Sequence, residues 1–90
     1  MGARVWADDL LEFIKEDFHG HQQSRNRVSI EDHTFISVRM NGELVEVQVG
    51  DLDSAAVDFQ PFEFNPATTS INDAARSLQP FIRCMQWLQS

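Results

Sequence analysis

Three histidines, one cysteine and fourteen carboxylates are the groups here that could do acid–base, nucleophilic or metal chemistry, and their spacing argues against most of it. His19-Gly20-His21 is the close histidine pair, with His33 further along. Together with a carboxylate or Cys84 they would offer a zinc-type donor set, but the spacings that build such sites locally, C-x-x-C or H-x-x-x-H, are absent. A helix end carrying a histidine that suits its dipole accounts for the pair without a metal. Asp51-Leu52-Asp53 opens like a calcium loop, then lacks the glycine at the sixth position and the distal glutamate. Cys84 falls at the edge of an apolar helical arc, where it reads as a small buried hydrophobe rather than a nucleophile. No nucleophile elbow and no glycine-rich phosphate loop occur. No catalytic residue, metal or cofactor is therefore assigned, and the chain is expected to bind rather than catalyse.

Recognition chemistry is better represented. From about Trp6 to His19 the residues Trp6, Leu10, Phe13, Ile14 and Phe18 recur at helical steps, with Asp17 intruding on the stripe. Asp8, Asp9, Glu12 and Glu16 fall on the other side, Asp8 and Asp9 in the first turn, where they favour the helix dipole. That row is either a solvated face or a docking face for a basic partner. Trp87, near the other end of the chain, stands outside the apolar stripe of its own helix, on the polar side with Arg76, Pro80 and Arg83. Tryptophan and arginine dominate binding hot spots. Asp8, Asp9, Glu12, Glu16, Arg83 and Trp87 are accordingly the candidate partner-binding residues.

These residues need elements to position them, and the central one is a β-hairpin over 34–49. Asn41-Gly42 suits a two-residue type I′ turn between runs of β-branched residues, which would place Val38 opposite Val45 and Ile36 opposite Val47. One face then collects Thr34, Ile36, Val38, Met40, Val45, Val47 and Val49. The other carries Ser37, Arg39, Glu46 and Gln48, broken by Phe35 and Leu44, which either lie under Phe62 and Phe64 or form a contact surface.

The flanking segments follow. Met1 to Val5 reads as a loose start, and Gly20 suits a left-handed helix end. Gln22 to Arg27 has no apolar residue and no period, and reads as an exposed linker. Val28-Ser29-Ile30 either begins one long strand with a bulge near Asp32 or forms a short strand before a bend at 31–33. A third, edge strand is expected around 56–60, with Phe62 and Phe64 as its continuation beyond Pro61. Ser70 and Asp73 resemble a capping box, and a helix from about Ile71 carries the stripe Ile71, Ala74, Leu78, Phe81, Met85 and Leu88. Pro80 predicts a kink there, or two helices meeting near Ser77 to Pro80.

Composition bounds the whole. Ninety residues make a single domain, 1–90, and a chain of this size buries only about 60–65% of its unfolded surface. No run approaches the roughly 18 apolar residues of a membrane span, and the start lacks the layout of a signal peptide. A soluble, cytoplasmic protein is expected, with the single cysteine in keeping with a reducing compartment. Fourteen acidic against seven basic residues give a net charge of −7, which disfavours direct nucleic-acid binding and favours a basic partner.

The expected fold is α+β: a small antiparallel sheet of about three strands covered by the N- and C-terminal helices. The apolar arc of the last helix exceeds what one hairpin face needs. Ile71, Leu78, Phe81, Met85 and Leu88 are therefore assigned to self-association, and a homo-oligomer is expected. The expected function is that of a small acidic interaction protein, an adaptor or inhibitor of a larger protein partner with a basic surface. One form of it is a nucleic-acid mimic of the anti-defence kind that phages encode. The alternatives are a secretion-type chaperone, a small anionic-ligand binder using Arg25, Arg27 or Arg39 beside an aromatic ring, and a metal-dependent enzyme.

Overall fold

The computed structural model of the chain describes residues 2–31, 33–51 and 61–89, and the side chains of Gln86, Leu88 and Gln89 lie outside that description. Helix α1 (Ala3–Phe18) is followed by strands β1 (His21–Ser24), β2 (Arg27–Ile30), β3 (Thr34–Asn41), β4 (Leu44–Asp51) and β5 (Phe62–Phe64), then by helix α2 (Ile71–Gln89). The five strands form one antiparallel sheet in chain order. The class is α+β as expected, but among the described residues the sheet has five strands instead of about three. The expected edge strand at 56–60 falls outside the described residues.

β1 accounts for much of the difference. The stretch expected to be a linker, Gln22 to Arg27, holds three of its four residues, and all four are exposed. With no buried side to mark, hydrophobic alternation is absent. The strand exists through backbone pairing, His21 opposite Ser29 and Gln22 opposite Val28, with a register irregularity before Ser24. β2 is the short strand of the two alternatives for residues 28–40. It turns back onto β3 through Glu31 at φ 54°, placing Val28 opposite Ile36 and Ile30 opposite Thr34.

The β3–β4 hairpin forms, but its turn sits one residue later than expected. Asn41 pairs with Leu44, Arg39 with Glu46 and Val38 with Val47, so Gly42-Glu43 is the two-residue loop. Only Gly42 takes positive φ there, at 62°, which is the type II′ pattern with glycine first rather than type I′. Moving the turn by one residue shifts each partner by two positions. The side-chain period is also two, so the faces are unchanged: Ile36, Val38, Val45, Val47 and Val49 are buried as expected.

Both helices pack on that face. Leu10, Leu11 and Ile14 of α1 and Leu78, Ile82 and Met85 of α2 join Val28, Ile30, Ile36 and the β4 valines in one core cluster, each fully buried aliphatic side chain contributing about 1.5–3 kcal/mol. Trp6 is buried as well, donating its indole N–H to the Thr69 carbonyl at 3.0 Å. Asp17 accepts a 2.9 Å hydrogen bond from Gln79 Nε2. These two ties place the start of α1 beside the start of α2 and the end of α1 beside its middle, so the helices run in the same direction.

The helix ends correct two expectations. α1 starts at Ala3, not near Trp6, which puts Asp8 and Asp9 beyond the first turn. The left-handed position at its end is taken by His19, at φ 56°, and the Gly20 N–H returns to the Lys15 carbonyl at 2.8 Å. Gly20 is needed for a different reason: a Cβ there would lie 2.8 Å from Val28 Cγ1 and 2.9 Å from the Ser29 carbonyl oxygen. α2 is one helix through Pro80 rather than two. Pro80 is exposed, so the carbonyl of Arg76, deprived of its helical donor, can turn to water. Ser70 caps α2 as expected, its Oγ accepting the Asp73 N–H at 3.1 Å.

Candidate interaction surfaces

The arc that α1 buries is rotated from the expected stripe. Trp6, Ala7, Leu10, Leu11 and Ile14 are buried, whereas Phe13, expected in the stripe, is 38% exposed. Val5, expected in a loose segment, is 50% exposed. Val5, Asp9 and Phe13 follow one another at four-residue steps, with Glu12 and Glu16 alongside, so the outer face of α1 mixes apolar and acidic groups. Reading the helix from Ala3 would have revealed this spacing.

The carboxylates of α1 are not equivalent. Asp8 is held by Arg4 at 2.6 Å and by Arg25 of the β1–β2 turn at 3.3 Å. A desolvation cost that raises its pKa is outweighed by the hydrogen bonds and charges of the two guanidiniums, which together hold it below the usual carboxylate range. Glu12 pairs with Lys15 at 2.8 Å. Asp9 and Glu16 are exposed and make no ion pair among the described residues.

On α2, Trp87 is 74% exposed, on the same side as Arg76, Pro80 and Arg83, all exposed. Neither arginine forms an ion pair among the described residues. Val5, Phe13 and Trp87 are the large hydrophobic side chains exposed among the described residues, and all three stand on the outer faces of the helices. Cys84 is exposed too, not the buried hydrophobe expected.

The residues assigned to self-association are placed elsewhere. Leu78 and Met85 are fully buried, Ile71 packs against the core at half burial, and Phe81 meets Phe62 edge-on at 4.8 Å. The side chain of Leu88 lies outside the described residues. β5 and the core take up Leu78, Met85 and one side of Phe81 from that arc.

The opposite sheet face offers little to a small ligand. Arg25 is paired with Asp8, and Arg39 with Glu46 at 2.7 Å. Arg27 lies over the Phe35 ring, 4.4 Å from its centroid, and Phe35 is itself buried, so this ring is not open to a ligand. Phe62 and Phe64 pair with Val47 and Val45 on the helix-covered face and do not shelter Phe35 or Leu44. A depression of 440 Å³ beside Arg27 is lined by Gln23, Ser24, Asn26 and Ser37, without the apolar walls of a typical ligand pocket.

Among the described residues no three His, Cys, Asp or Glu side chains gather as a metal site, and no helix is long and apolar enough to cross a membrane. No family model, curated protein or solved structure matches the chain.

Proposed function

We propose that this chain is a non-enzymatic interaction protein, an adaptor or inhibitor that docks on a larger protein through the outer faces of α1 and α2. One observation carries the reading: the exposed large hydrophobics Val5, Phe13 and Trp87 share these faces with charges that have no ion-pair partner among the described residues. Exposed apolar groups bordered by available charge are what a hot spot with a polar rim requires. Asp9 and Glu16 favour a basic surface on the partner, and Arg83 and Trp87 supply the second contact. The nucleic-acid-mimic form is less well supported, because a mimic needs a row of bare carboxylates and α1 spends Asp8 and Glu12 on its own cations.

The test captures partners from the native host on the immobilised chain and measures their kinetics with two variants. Asp9→Asn/Glu12→Gln/Glu16→Gln should slow association several-fold and flatten its dependence on salt, because rim charges act on encounter. Trp87→Ala should instead speed dissociation by tenfold or more. A partner whose rates neither variant alters would remove this reading of the two faces.

A further inference from the structure

When glycine follows asparagine, its peptide nitrogen can attack the asparagine side-chain amide with little hindrance, because glycine has no Cβ to shield that nitrogen. Asn41 and Gly42 stand in this order at the tip of the β3–β4 hairpin. Both are exposed, and nothing lies within 4 Å of where a Cβ on Gly42 would stand. The pair that closes the ladder is Asn41 with Leu44, so the Gly42 N–H is not committed to that pair. The other asparagines are hindered by their neighbours. Asn65 precedes Pro66, which has no N–H to give up. Asn72 would need the nitrogen of Asp73, which donates to Ser70 Oγ at 3.1 Å. Asn26 is followed by the side chain of Arg27, and its own amide oxygen is held by Arg4 Nη1 at 2.6 Å. The structure assigns Asn41 as a site of self-modification, by ring closure onto Gly42, loss of ammonia and conversion to aspartate or isoaspartate.

Water is the only co-reactant. Base removes the Gly42 amide proton and the nitrogen bonds to Asn41 Cγ. The Cγ–Nδ2 bond then breaks, and Nδ2 takes up a proton and leaves as ammonia. The Gly42 nitrogen and the Asn41 C, Cα, Cβ and Cγ atoms now form a five-membered imide. Water adding at Cγ reopens it to aspartate in an ordinary backbone. Water adding at the main-chain carbonyl leaves Gly42 joined through Cγ, which is isoaspartate, with one more methylene in the chain.

The surroundings decide what the change does. Asn41 Nδ2 donates to Glu46 Oε1 at 3.1 Å across the hairpin, an exposed bond that slows release of the amide without preventing it. Aspartate in its place sets a carboxylate against Glu46, whose other oxygen already holds Arg39 at 2.7 Å, and takes the net charge one unit below −7. The extra methylene of isoaspartate falls opposite Leu44, beside Val45, which pairs with Phe64 of β5. The central hairpin thus carries a slow, irreversible change at its tip.

Ageing the folded chain at neutral pH, with peptide mapping by mass, tests this. The fragment holding Asn41 should gain one dalton and split into two products, one of them labelled by an isoaspartyl methyltransferase. Its rate should rise with hydroxide, since the attacking nitrogen must first lose its proton, while Asn26, Asn65 and Asn72 stay amides. The same chain in guanidinium gives the rate without the fold, and the folded rate should lie within about tenfold of it, which is what one exposed hydrogen bond can hold back. Slower conversion, or Asn26 or Asn72 keeping pace, would overturn the inference. Asn41→Gln keeps an amide at the exposed position but must close a six-membered ring, and it should stay unmodified over the same period. A one-dalton gain in that variant at the wild-type rate would place the change elsewhere and overturn the inference as well. The isoaspartyl fraction should melt below Asn41→Asp, and Asn41→Asp below wild type. Equal midpoints for all three would remove the consequence drawn for the hairpin.

Discussion

On α1, Asp8 and Glu12 are held by cations of the same chain, whereas on α2 Arg76 and Arg83 have no carboxylate in ion-pair reach among the described residues. The helices otherwise resemble each other, each burying an apolar arc against the same sheet face. The helix richer in formal charge therefore offers a partner no more available charge than the other. A count of carboxylates measures solubility. Only those left without a cation among the described residues, Asp9, Glu16 and Asp17, measure what a docking face presents.

The comparison assumes that both helices are integral to one core, and truncation inside it has the largest expected effect. Leu10→Ala and Leu78→Ala each remove a fully buried side chain and should each cost about 2–5 kcal/mol in denaturant unfolding. An unchanged midpoint for Leu78→Ala would make α2 a detachable arm and end the likeness between the helices.

The ends of the helices sharpen the contrast at the next level. α1 leaves for the sheet through Gly20, where an added methyl meets the Ser29 carbonyl and Val28, and Gly20→Ala should cost about 1–3 kcal/mol as overpacking. α2 begins at the Ser70 cap, and Ser70→Ala should cost about 1 kcal/mol. Equal losses in thermal unfolding would mean that β2 shifts to admit the methyl and that α1 is not locked more tightly than α2.

The smallest effect concerns the paired and unpaired carboxylates of α1. Arg4 and Arg25 lower the pKa of Asp8 in the folded state, so its contribution to stability is present above the unfolded carboxylate value, about pH 3.9, and is lost as pH falls through the lowered folded value. Asp8→Asn should give a slightly lower Tm than wild type near pH 7, with the gap closing as pH falls through the lowered folded value, while Asp9→Asn, which breaks no ion pair among the described residues, should leave Tm near pH 7 unchanged. Identical profiles for the two variants would show that the Arg4 and Arg25 pairs, which are partly exposed, are screened out by solvent.

Much of this molecule is local and was readable without its tertiary structure. Alternation over 34–49 determined which side chains of the central hairpin face the core. It did so even though the turn was placed one residue early, since both the slip in pairing and the side-chain period are two. Helical spacing and the Ser70 cap determined α2, and the exposure of Trp87 followed from its place off the stripe. The remainder was decided by what comes near in space. β1 has no hydrophobic pattern and exists through its pairing with β2. Gly20 is required by the approach of Val28 and Ser29 rather than by its own φ, which leaves the left-handed position to His19. Asp8 is held by Arg4, one helical turn before it and readable from spacing, and also by Arg25, seventeen residues further on, which only the fold brings near.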